Sequence, residues 1–170
     1  DTTKTTPADS AVACAIESLA TITGGTFAGS VANGGTIENG TFEGEVKNYR
    51  TISGGTFEST CSVINEKAIT GGKFECAVTN DAGGTISGGT FNGDVINFEK
   101  ISDGTFEGSV TNYSDIEKGT FKGEVKNHNG TISGGKFEGT VINDVNGTIS
   151  DGTFNKEVSN INGNIANGTF

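Results

Sequence analysis

The hydrophobic positions of the chain follow one repeating pattern. Phe27, Phe42, Phe57, Phe74, Phe91, Phe106, Phe121, Phe137, Phe154 and Phe170 succeed one another at steps of 15 to 17 residues. Each has Ile five residues before it, from Ile22 to Ile165, and Gly two before it, from Gly25 to Gly168. Most have Val four and Asn six residues later, as Val46 and Asn48 follow Phe42. Within the unit T-I-S-G-G-T-F-E-G-x-V-x-N the apolar positions alternate with polar ones, which is the period of a half-buried strand. T-I-S predicts a second short strand, and Gly-Gly or Asp-Gly between the two supplies a turn. Frequent Gly and the lack of a 3.6-residue period exclude a helix over this region.

The spacing separates rigid from variable parts. Phe to Val to Asn is almost constant, whereas Asn to the next Ile varies from four to six residues and reads as a loop. One unit departs: Val63 and Asn65 follow Phe57 two residues late, so the two extra residues lie between Phe57 and Val63. A unit this short cannot bury its own apolar face, but stacked units can, like residue over like at ~4.8 Å. The expected fold is all-β, a single β-solenoid (β-helix) of about ten coils of 15–17 residues, with Ile, Phe and Val ladders inside and an Asn ladder at a corner. Ten Phe-bearing coils at that spacing make a rod of roughly 50 Å.

Residues 20–170 form the repeat domain, and residues 1–19 a tail and cap. Residues 8–20, ADSAVACAIESLA, allow two readings. One is a short N-terminal capping helix started at Asp9 or Ser10, preferred because an open solenoid end needs covering. The other is a degenerate coil with Val12, Cys14, Ile16 and Ser18 in the Phe, Gly, Val and Asn columns. The sequence stops at Phe170 inside a unit, which reads either as a trimmed chain or as an end that stacks on another molecule. Asp1 and the Thr-rich stretch after it look like a mature start, so export is inferred without a signal peptide in view.

Composition narrows the function classes. The formal charge is −10, from 11 basic and 21 acidic residues, which makes nucleic acid a poor partner. No apolar run approaches the ~18 residues of a membrane span. A single His, His128, reads as a surface residue in a loop and leaves few metal, triad or acid–base schemes. No catalytic, cofactor-binding or metal site is expected. Cys/His spacings for zinc are absent. The outward carboxylates, among them Glu43, Glu45, Glu75, Asp94, Glu107, Glu124, Glu138 and Glu157, are diluted by Ser, Thr, Asn and Lys and read as a solvated face that resists sideways aggregation. Sequons at Asn39, Asn112, Asn129, Asn146 and Asn167 arise from the repeat itself.

Two groups of residues carry sharper expectations. Cys61 and Cys76, counted back from the Val and Asn of their own coils, share the Gly column on consecutive coils. Their Cα atoms then lie about 5 Å apart, within disulfide range, and a structural disulfide is expected in a secreted protein. Cys14 is left over as a buried thiol. Before Phe stand Thr26, Thr41, Thr56, Thr90, Thr105, Thr120 and Thr153, interrupted by Lys73 and Lys136. Regular Thr arrays on flat solenoids resemble those of ice-binding proteins, and this column is the candidate ice-binding face. It requires a flat face free of Lys; otherwise Thr simply suits exposed strands.

The phrases TISGGTF, GTFEGEV and GTISGGKFEGTVIN resemble Gly/Thr/Asn-rich tandem repeats of secreted or surface-displayed bacterial proteins, over roughly residues 20–170. The resemblance implies an extracellular or cell-surface structural or adhesive module, such as a stalk or adhesin shaft, and supplies no active site. The implied partners are the chain itself, stacked head to tail into filaments, or an extracellular ligand. Ice is the alternative partner. No nucleic acid and no membrane insertion are expected.

Overall fold

The computed structural model describes residues 11–12 and 16–170. Among these residues every element is a β-strand, the strands pair in parallel, and successive coils stack into a β-solenoid. Sixteen strands carry the Ile and Phe columns in one sheet, and ten carry the Val and Asn columns in another. Like sits on like: Ile37 pairs with Ile52, Phe42 with Phe57, Val46 with Val63 and Asn48 with Asn65.

The bend between the Ile and Phe segments is made by glycine. All ten glycines two residues before Phe, Gly25 to Gly168, have φ between 98° and 143°, a region that side chains disfavour. In four coils the seven residues around this bend stay one strand, as in Thr36–Phe42; in others they divide, as in Thr51–Ile52 and Thr56–Phe57. A Cβ at Gly104 would also lie 3.0 Å from the ring edge of Phe106. Gly104→Ala is therefore expected to destabilise the chain by about 1–3 kcal/mol. At Gly24, where a Cβ meets nothing within 4 Å, the same change is expected to be tolerated. Urea unfolding of the two variants checks the contrast.

The core is three ladders deep in one file. The Phe rings stack at centroid distances of 4.5–5.1 Å with interplanar angles of 5–12°. Phe42 to Phe137 and Ile37 to Ile149 are fully buried. Eight asparagines, Asn33 to Asn143, are fully buried too. Each donates from Nδ2 to Oδ1 of the Asn on the next coil, at 2.7–2.8 Å. The same Nδ2 groups also reach loop carbonyls, as Asn97 does to Glu99 O at 3.0 Å. Burial of so many amides is tolerable because no buried side-chain N or O among the described residues lacks a partner.

The two extra residues after Phe57 are expelled as a turn closed by Cys61 N donating to Glu58 O at 2.8 Å, and the register resumes with Ser62 over Glu45. The N-terminal region corrects the preferred reading. Ala11–Val12 and Ile16–Ser18 are strands, with Val12 paired to Phe27, Ile16 to Val31 and Ser18 to Asn33. The degenerate coil prevails over the capping helix because its residues keep the column spacing and satisfy the backbone edge of the next coil, which outweighs the helix propensity of Ala, Glu and Leu. Leu19, placed just past the Asn column, is 88% exposed in consequence. Cys14 lies outside the described residues.

Candidate functional surface

Each coil turns the same outward positions to solvent, so the surface consists of columns running along the rod. On the Phe face the columns flank Phe. Thr26, Thr41 and Thr56 stack in register, Lys73 follows, then Thr90, Thr105 and Thr120, then Lys136 and Thr153. The longest uninterrupted Thr run is thus three coils. The lysines lean across the face: Lys73 Nζ lies 2.6 Å from Glu75, and Lys136 pairs with Glu138. Lys73 holds the Glu75 carboxyl below its ordinary range, with Asn92 donating a further hydrogen bond at 2.9 Å, and Lys136 does the same for Glu138. Glu107 holds the Lys122 ammonium above its ordinary value across 2.7 Å. These pairs are exposed and contribute little to stability.

The Ile face carries hydroxyls on both sides of Ile. Six of those after Ile do not stand free. The side chains of Ser53, Thr70, Ser87, Ser102, Ser133 and Ser150 each donate to the Ile carbonyl of the preceding coil, at 3.1–3.4 Å. On the Val face, Asp94, Ile96, Ser109, Thr111, Glu124 and Lys126 line a shallow groove, and Asp94 accepts from Ser109 N at 3.0 Å.

The position after Asn, a loop residue by its sequence spacing, forms a further column. Backbone hydrogen bonds between coils continue through it, as from Tyr113 N to Asn97 O and from His128 N to Asn112 O. Phe98, Tyr113 and His128 therefore stack, with centroids 5.1 and 5.5 Å apart. His128 Nδ1 lies 2.8 Å from Asp144, which ends the stack. Tyr49, Phe98, Tyr113 and Ile161, all 42–49% exposed, share this column with Leu19, and Glu66, Asp81 and Asp144 interrupt them. The signal was present in the sequence as an aromatic after Asn48, Asn97 and Asn112.

Cys61 and Cys76 lie where the repeat places them. They are buried neighbours on consecutive coils, each directly before the paired residues Ser62 and Ala77. Both are free thiols, Cys61 Sγ donating to Ser62 O at 3.5 Å, so the expected disulfide is not formed in this structure. The neighbouring Cys76 thiol, with burial behind it, pushes the Cys61 thiol up, and the Cys61 thiol in turn pulls Cys76 down. No group of three His, Cys, Asp or Glu suited to a metal ion occurs among the described residues. The sequons divide sharply: Asn112 is buried inside the amide ladder, while Asn39, Asn129, Asn146 and Asn167 are exposed.

Comparison with protein families, curated proteins and solved structures yields no match to this chain.

Proposed function

We propose that the chain is a non-enzymatic structural or adhesive module of an extracellular or cell-surface assembly, in which a stiff rod displays one lateral surface many times over. The observation that carries this reading is the constancy of register. Every outward column repeats at the coil spacing, and a weak contact made by one coil recurs along the rod, so multivalency supplies avidity. The edge formed by Tyr49, Phe98, Tyr113 and Ile161 is the part best suited to contact, because aromatic side chains provide large contact area at low entropic cost. The charge of −10 keeps the rods apart sideways. Pairing between the ladder edges of two molecules would lengthen the rod into filaments.

The test couples shape to attachment. Light scattering and negative-stain imaging over a concentration series report whether rods remain single or join end to end. Beads coated with the chain are then passed in flow over surfaces bearing extracellular polysaccharide or matrix protein. Retention above that of beads carrying an equally acidic unstructured peptide supports the module reading. Strictly monomeric rods with no excess retention on any surface overturn it.

The second reading is ice binding by Thr26, Thr41, Thr56, Thr90, Thr105, Thr120 and Thr153, favoured by the in-register stacking of this column. The exposed Lys73 and Lys136 that divide it weigh against it. Faceted ice crystals and a depressed growth temperature would support ice binding; unshaped growth would dismiss it.

A further inference from the structure

We propose that Cys61 and Cys76 are the reduced form of a reversible disulfide staple that fastens the one coil with an insertion between Phe and Val to the coil that follows it. Between Gly29 and Gly139 every other coil has glycine in the column that holds them, and Lys156 stands there on the coil after Gly139. A Cβ at Gly44 would lie 2.5 Å from Gly29 O, one at Gly93 2.2 Å from Cys76 O, and one at Gly108 2.4 Å from Gly93 O. Replacing Gly here is therefore costly unless the chain makes room. Room is made at the coil whose length departs from the pattern: the turn from Glu58 to Cys61, with Thr60 Oγ1 donating to Glu43 O at 3.0 Å, lifts the backbone before Cys61. Side chains enter the column at this point on two successive coils, and both are thiols.

The pairing geometry favours closure. In-register parallel neighbours have Cα atoms about 4.8 Å apart, inside the 4.4–6.8 Å range of disulfides. The residues that follow the two cysteines, Ser62 and Ala77, are paired in register, and both thiols are buried in the core. With a small-molecule disulfide such as oxidised glutathione as oxidant, the Cys76 thiolate, favoured by the neighbouring Cys61 thiol, attacks one sulfur and expels a glutathione thiolate. Cys61 then gives up its proton and attacks the Cys76 sulfur of the mixed disulfide, expelling the second glutathione. Two protein thiols and one oxidised glutathione become one protein disulfide and two reduced glutathiones. Burial of both sulfurs means that the oxidant enters through opening of the exposed Ser59–Thr60 turn, so closure is slow and requires no global unfolding. The proposal stands on this column alone and is independent of the role assigned to the rod.

The test uses the full chain with Cys14→Ser, which leaves only the pair. After equilibration with oxidised glutathione under native conditions, both thiols are expected to disappear together from alkylation. The chain is then lighter by two hydrogens, and a peptide spans Cys61 and Cys76. The staple closes a loop of about 15 residues and is expected to raise Tm by about 5–10 °C, reversed by reductant. Adding Cys76→Ser leaves at most a glutathione adduct on Cys61 and removes the rise in Tm. Persistence of both free thiols at equilibrium, or a link that forms only in denaturant, overturns the proposal.

Discussion

Asn97→Asp is expected to destabilise the rod by about 3–5 kcal/mol at pH 7 and by much less near pH 4. Asn97 Oδ1 accepts from Asn80 Nδ2 at 2.7 Å, and its Nδ2 donates to Asn112 Oδ1, Glu99 O and Asp115 O at 2.7, 3.0 and 3.4 Å. Aspartate puts an oxygen where that donor stood, facing three acceptors in a fully buried place. Ionisation there is opposed by burial and by the surrounding oxygens, so the folded-state pKa of the new carboxyl rises above its unfolded value of about 3.9. For an acid shifted upward the folded state binds the extra proton. The penalty is therefore small below the unfolded pKa and grows as pH rises through the folded one. Urea unfolding of the variant and the parent chain at both pH values checks this. Equal losses at the two pH values would mean that the amide ladder is not the buried, acceptor-rich column described above.

Phe106→Ala is expected to cost about 3–5 kcal/mol and to divide the unfolding of the chain into two transitions. Phe106 is fully buried, and its ring stacks between Phe91 at 4.8 Å and Phe121 at 4.7 Å. Coils contact only their neighbours, so removing one ring weakens one junction and leaves the coils on either side nearly intact. The ladder then behaves as two shorter rods coupled through a cavity. Urea unfolding followed by circular dichroism, with hydrogen exchange to locate each transition, would reveal the division. A single transition shifted to lower urea would indicate that cooperativity reaches further than the nearest coil.

The solenoid was legible because its ladders are built from unlike residues at fixed spacing. Phe, Ile, Val and Asn cannot exchange columns, so the order of the residues alone sets the register, and the late Val63 located the expelled turn correctly. The N-terminal coil was harder to read because Val12, Ile16 and Ser18 are substitutes for Phe, Val and Asn, and the same stretch is rich in helix formers. Tertiary pairing with Phe27, Val31 and Asn33 decided a contest that local propensity could not. The aromatic edge was missed because the variable length after Asn suggested that order ends there, whereas backbone pairing persists one residue further. Hydroxyl direction was not legible either. Alternation places Ser53 and Ser87 outward, but only the coil-to-coil spacing brings an Ile carbonyl within reach of each. The Cys column was predicted and found, while its oxidation state depends on conditions rather than on sequence.

The proposed role needs one residue of each column per coil, stacked at a constant rise. Spin labels placed pairwise on the Thr column test this directly. From position 26 to 105 the register counts five coils, and from 26 to 153 eight, so backbone separations of about 24 and 38 Å are expected at ~4.8 Å per coil. Double electron–electron resonance should return two narrow distributions whose means stand close to that five-to-eight ratio. Broad distributions, or a 26-to-153 distance no longer than the 26-to-105 distance, would contradict the rod and the repeated surface built on it.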